Sequence, residues 1–150
     1  MRELASGIDA LYLSGRALVP GWFLDGLEGA RRAADKAGDG QPVWIGSTEF
    51  EVVPHGFGRY RYCLVHENGQ IGVTPSDRLP AFRIQPRAAF VHGVGATEAS
   101  RWFADVLATD CGAIELTVSR MDLHADFQGW VVTGEDRRNF VCRARFTGAL

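Results

Sequence analysis

The stretch 113–128, AIELTVSRMDLHADFQ, constrains this chain more than any other, because apolar and polar residues alternate along most of it. A period of two belongs to a strand, where successive side chains point to opposite faces. The alternation also changes phase. Up to Val118 the even positions are apolar (Ile114, Leu116, Val118); after Ser119 the odd ones are (Met121, Leu123, Ala125, Phe127). A slip of one residue turns every later side chain to the other face. The pattern therefore predicts a bulge near Ser119 and Arg120, or a strand covered on different faces along its length.

So long a strand needs partners, and the rest of the sequence offers them. Residues 8–14 read as a first strand. A helix follows from Pro20, with Phe23, Leu27, Ala30 and Ala34 at helical spacing and the Gly38-Asp39-Gly40 run as its stop. From 49 to 91 the texture is β. Short strands are expected at 50–53, 59–65, 71–74, 79–84 and 88–91, with Asn68-Gly69 as a hairpin signal between the second and third. Residues 97–111 carry an apolar stripe (Ala99, Trp102, Phe103, Val106, Leu107) and predict a helix ended by Gly112. A final helix is expected over 134–144, after the capping-box-like Thr133 and Asp136. The order β-α-β-β-β-β-α-β-α argues a single α+β domain over 1–150: a largely antiparallel sheet with two to three helices packed on it.

Composition removes several function classes. Apolar runs are far shorter than the ~20 residues that cross a bilayer, and the N-terminus has Glu3 and Asp9 where a signal peptide would be continuous and apolar. A cytoplasmic protein with no membrane partner is expected. Cys63, Cys111 and Cys142 are odd in number and widely spaced, which argues for buried thiols over disulfides or a thiolate zinc site. The net charge of −2 gives no overall pull on phosphate. The basic residues, however, are fifteen Arg and one Lys; bidentate phosphate contact would favour that ratio, and a GC-rich genome explains it equally.

Three features bear on chemistry. In RMDLHADF (120–127) one face of the strand would carry Arg120, Asp122, His124 and Asp126. Carboxylates with an imidazole suit Mg²⁺ or Mn²⁺, yet at a rise of about 3.3 Å per residue neighbours on that face stand about 6.5–7 Å apart. One ion could not take all three without a twist, a bulge or a ligand such as Glu115 or His55. An Arg120–Asp122 ion pair on a solvated face accounts for the same residues. Tyr60 and Tyr62 would share one face and Arg59 and Arg61 the other; this is either core packing or a surface for stacking bases and holding phosphate. His92-Gly93-Val94-Gly95 before a helix start is explained by a turn as well as by phosphate binding. No GxSxG, HExxH or Walker loop is present.

The order of these elements, running into VSRMDLHADF (118–127), resembles the N-terminal half of the phage and plasmid replication initiation factors, whose strand reads V-S-R-x-D-hydrophobic-x-x-D. Val118, Ser119, Arg120, Asp122, Leu123 and Asp126 match that pattern. The resemblance implies a rolling-circle initiator. DNA, as an origin region in single-stranded or hairpin form, would be the partner, with Arg120, Arg59 and Arg61 as its contacts. A divalent metal (Mg²⁺ or Mn²⁺) would sit at Asp122 and Asp126, with His124 as an optional ligand. In that family a tyrosine attacks a DNA phosphate, and it is expected beyond the Asp-bearing strand; here no tyrosine follows Tyr62. The chain is accordingly expected to be the N-terminal part of a longer initiator, catalytically incomplete as it stands. The alternative is a non-catalytic regulatory or interaction module of a mobile element on the same fold.

Overall fold

Hairpin-length connections and alternating burial build most of this molecule. The computed structural model describes residues 2–129, 131 and 133–135. Strand β1 (Arg2–Arg16) leads to helix α1 (Gly21–Ala37) and then to five strands in succession: β2 (Gln41–Ile45), β3 (Thr48–Val53), β4 (Tyr62–His66), β5 (Gly69–Val73) and β6 (Phe82–Pro86). Helices α2 (Ala88–Val94) and α3 (Ala96–Cys111) come next, followed by strand β7 (Glu115–Gln128). The strands make one sheet in the order β2-β3-β4-β5-β6-β1-β7, with antiparallel pairing at each step from β2 to β1. This is the α+β class read from the sequence. Residues Gly7–His124 form one compact unit, which holds α1, α2, α3 and the β2–β6 meander; the described residues 2–6 and those from 125 on belong to a second.

The two sheet faces are fixed by register. Val52, Leu64, Ile71, Ile84 and Leu13 stand opposite one another in turn across five strands, and each is at most 1% exposed. This row packs under α1 and α3, which contribute Phe23 and Leu27, and Ala99, Phe103 and Leu107, to the same core. Burial of each large apolar side chain stabilises by about 1.5–3 kcal/mol. The alternate row, Cys63, Gly72, Arg83 and Ser14, necessarily faces the other way. No helix covers that face among the described residues.

Both long helices stop for backbone reasons. Gly38 takes the left-handed conformation (φ 72°) and its N–H donates to the Ala34 carbonyl, closing α1. Gly112 (φ 71°) closes α3.

The local expectations are corrected at two places, 88–91 and 59–61, and extended at a third. Strand β2 adds to the strands expected from sequence; its Pro42 is tolerated on the sheet edge, where a missing N–H leaves no ladder bond open. Residues 88–91 open helix α2 and form no strand; a short apolar run does not reveal its own period, and Pro86 has already ended β6. Strand β4 begins only at Tyr62, since residues 57–60 form a tight turn with reciprocal backbone bonds between Phe57 and Tyr60. The β4–β5 hairpin expected around Asn68-Gly69 forms, with Glu67 and Asn68 as its turn residues, because His66 pairs with Gly69. The expected helix over 134–144 lies outside the described residues, except that Gly134 and Glu135 are in a turn. Cys142 lies outside them too. Among the described residues no helix is long and apolar enough to cross a membrane.

Candidate nucleic-acid interface

The helix-free face carries a row of rings and guanidinium groups. Tyr12 lies between the core residues Leu11 and Leu13, so its ring projects to the opposite side. Arg83 lies between two rings, 5.5 Å from the Tyr12 centroid and 4.7 Å from that of Phe57. On the β7 side the Arg120 guanidinium lies 5.3 Å from Tyr12. Gln85, also on this face, donates from Nε2 to the Tyr12 hydroxyl at 3.2 Å. Ser119 Oγ donates to the Tyr12 carbonyl at 3.1 Å, fastening β7 to β1. Along the face the order is therefore Phe57, Arg83, Tyr12, Arg120.

The turn that supplies Phe57 sits on a glycine. A Cβ built on Gly72 would lie 2.9 Å from Tyr60 Cβ and Cγ and 3.1 Å from Phe57 Cδ1. Only a bare backbone lets the turn approach so closely. Gly58 (φ 63°) makes the bend, and Arg59 is exposed beside it at the turn tip. Tyr60 is buried against the sheet, and burial, opposed in part by Arg83, raises its hydroxyl pKa.

The arginines named from sequence part company here. Arg59 and Arg120 lie on or beside the helix-free face. Arg61 does not: with Arg31 and Arg32 of α1 it binds the Glu28 carboxylate, at 3.0 Å for Arg61. Tyr62 also donates to Glu28, so it faces the helices while Tyr60 faces away. The expectation that the two tyrosines share a face fails because Tyr60 is in the turn, outside the strand. Hydrogen bonds from Arg31 and Arg32, with smaller contributions from Arg61 and Tyr62, hold the Glu28 carboxyl well below its usual pKa.

Arg120 also binds Asp122, through Nε at 2.9 Å and Nη2 at 2.5 Å. This bond lowers the Asp122 pKa and raises that of Arg120. Leu116 packs on the core, whereas Arg120, four residues on, serves the opposite face. In an unbroken strand the two would share a side, and the change of phase at Ser119 falls between them.

The residues read as metal ligands are differently engaged. Asp122 is taken by Arg120. The His124 ring lies 5.5 Å from that of His92 on α2. Asp126 is exposed and belongs to the second compact unit. Among the described residues no group of three or more His, Cys, Asp or Glu side chains is placed to hold a metal ion. As placed, Asp122 and His124 do not fit a shared Mg²⁺ or Mn²⁺ site; Arg120 would first have to release the carboxylate.

Arg83 belongs to no sequence motif. Its signal is the alternation of FRIQP, which predicts Arg83 and Gln85 on the face opposite Phe82 and Ile84. What the sequence lacks is the pairing that sets Arg83 beside Tyr12 and the 57–60 turn. A cleft of about 950 Å³ lies elsewhere, beside β2 and β3; Glu49, Glu51 and Glu67 line it with a single arginine, Arg87. Three carboxylates make it unsuited to phosphate. The sequence matches no family model, no curated protein and no solved structure.

Proposed function

We propose that this chain binds DNA on its helix-free sheet face, in the manner of the rolling-circle replication initiators its 118–127 strand resembles. The observation that carries this reading is Arg83. Its guanidinium is held between Phe57 and Tyr12, and no ion pair to a carboxylate is found for it among the described residues. A guanidinium spread flat against rings keeps its N–H edge for an oxyanion. Rings beside it offer stacking for bases, worth about 1–3 kcal/mol per base. Exposed Arg59 adds a positive group on one side of Arg83, and Arg120, paired with Asp122, adds one on the other only when that carboxylate lets go.

Strand cleavage is not part of the proposal. It rests on the family resemblance alone, and the carboxylate it calls for, Asp122, is held by Arg120. That ion pair favours the alternative among mobile-element proteins: a module that binds without cutting.

The test is fluorescence anisotropy with labelled single-stranded and hairpin oligonucleotides over a series of salt concentrations. Arg83→Ala is expected to weaken binding about tenfold or more. On a single strand it should also flatten the plot of log K against log salt by about 0.7 for each phosphate the variant no longer neutralises. Arg61→Ala, on the helix side, is expected to change neither. Absence of binding, or an Arg83→Ala variant that binds as the parent does, refutes the proposal.

A further inference from the structure

We propose that His92 and His124 form a binding site for a borderline divalent transition metal (Zn²⁺, Ni²⁺ or Cu²⁺) that clips helix α2 to strand β7. The site is independent of the DNA reading and different from the carboxylate site expected on the 120–127 strand.

Ring separation is the first argument. The two imidazole centroids are 5.5 Å apart with their planes at 44°. A metal-bound imidazole nitrogen sits about 2.0–2.1 Å from the ion and the ring centre about 1.1 Å further back, so two rings on one tetrahedral ion have centres about 5.2 Å apart. The rings already stand near that spacing.

Protonation is the second. His92 Nε2 is 2.8 Å from the Ile8 carbonyl oxygen. A carbonyl oxygen only accepts, so Nε2 carries the hydrogen, and in the neutral ring Nδ1 carries the lone pair. Backbone carbonyls orient metal-binding histidines in this way, fixing the tautomer that presents the other nitrogen.

The third argument is an unpaired nitrogen. Nδ1 of His124 is buried with no partner among the described residues, an arrangement proteins rarely leave unexplained. The ring fits here because residue 7 is glycine: a Cβ on Gly7 would come to 3.3 Å of His124 Cε1. Imidazole nitrogens favour zinc, nickel and copper over magnesium and manganese. His92 is exposed, so solvent has access to complete the coordination.

The experiment is calorimetric titration of the untagged full chain with Zn²⁺, together with the nitrogen hyperfine pattern of bound Cu²⁺ by electron paramagnetic resonance. One equivalent of metal and a two-nitrogen pattern are expected. His92→Ala and His124→Ala should each weaken binding at least about tenfold; His55→Ala should not, and excess Mg²⁺ should not compete. His92 is exposed, so His92→Ala keeps the test valid if circular dichroism shows His124→Ala to be misfolded. The proposal is overturned if no metal binds, if His92→Ala binds as the parent does, or if affinity falls only on replacing Asp122 and Asp126.

Discussion

Replacing Gly72 by alanine asks whether the 57–60 turn is seated on the sheet. The new Cβ would lie 2.9 Å from Tyr60 Cβ and Cγ and 3.1 Å from Phe57 Cδ1, inside the ~3.5–4.0 Å at which carbon atoms rest. The nearest neighbour is Tyr60 Cβ, which moves only with the backbone. That backbone is tied by Phe57 N–H to Tyr60 carbonyl at 3.0 Å and the reverse bond at 3.1 Å. The turn must therefore lift as a body. Overpacking of this kind costs about 1–3 kcal/mol, while the alanine recovers about 0.4–1 kcal/mol by restricting the unfolded chain. The net loss is about 0.5–2 kcal/mol.

In urea, with a slope of about 2 kcal/mol/M, the unfolding midpoint should fall by roughly 0.3–1 M with the slope unchanged. Because the same lift draws Phe57 off Arg83, DNA affinity should fall in parallel. Gly29→Ala is the control: nothing lies within 4 Å of a Cβ there, and in mid-helix the change should stabilise by about 0.5–1 kcal/mol. A Gly72→Ala midpoint equal to or above the parent's would refute the seating of the turn, and with it the arrangement of Phe57 and Arg83.

Glu28, its pKa lowered by its arginines, contributes stability that is full above the ordinary glutamate value of about 4.3 and is lost as pH falls through the lower folded value. The midpoint gap between parent and Glu28→Gln should thus stand at pH 7 and narrow progressively in acid below pH 4; a gap constant down to pH 2 contradicts this. Burial pushes the Cys63 thiol up, and burial with the nearby Asp110 pushes Cys111 to about 11, so iodoacetamide at pH 8 should alkylate neither in the folded chain and both in urea, as read by peptide mass mapping. Asp122→Asn releases Arg120 and should raise DNA affinity and steepen its salt dependence; a fall in affinity would show the carboxylate taking part in binding.

The sheet was legible wherever one face is buried. In β6 and the second half of β1 a period of two follows from the Val52-to-Leu13 row packing under the helices, and α3 announced itself through Ala99, Phe103 and Leu107. The misreadings have local causes. The apolar Ala88–Val94 segment is too short to show its period. Tyr60 could not be placed because its face depends on Gly58 bending the chain out of the strand that RYRYCLV suggests. Of the site, Arg120 and Asp122 were visible as a same-face pair two residues apart, while His124's neighbour His92 lies on an element that reads in sequence as a strand ending earlier. Pairings between residues far apart in the chain leave no periodic trace.

The arginines show what register adds to composition. Fifteen of them in a chain of net charge −2 promise little by number, because a guanidinium beside a carboxylate presents a neutral pair to a phosphate. The structure sorts them by neighbour: Arg61 with Glu28, Arg120 with Asp122, and Arg83 with two rings. Rings hold a guanidinium in place without cancelling its charge, and a carboxylate holds it by cancelling. Only the first arrangement leaves a fixed positive group ready for an anion. This is why Arg83, which matches no motif, carries the binding argument, while Arg120, inside the signature strand, joins it fully only when Asp122 lets go.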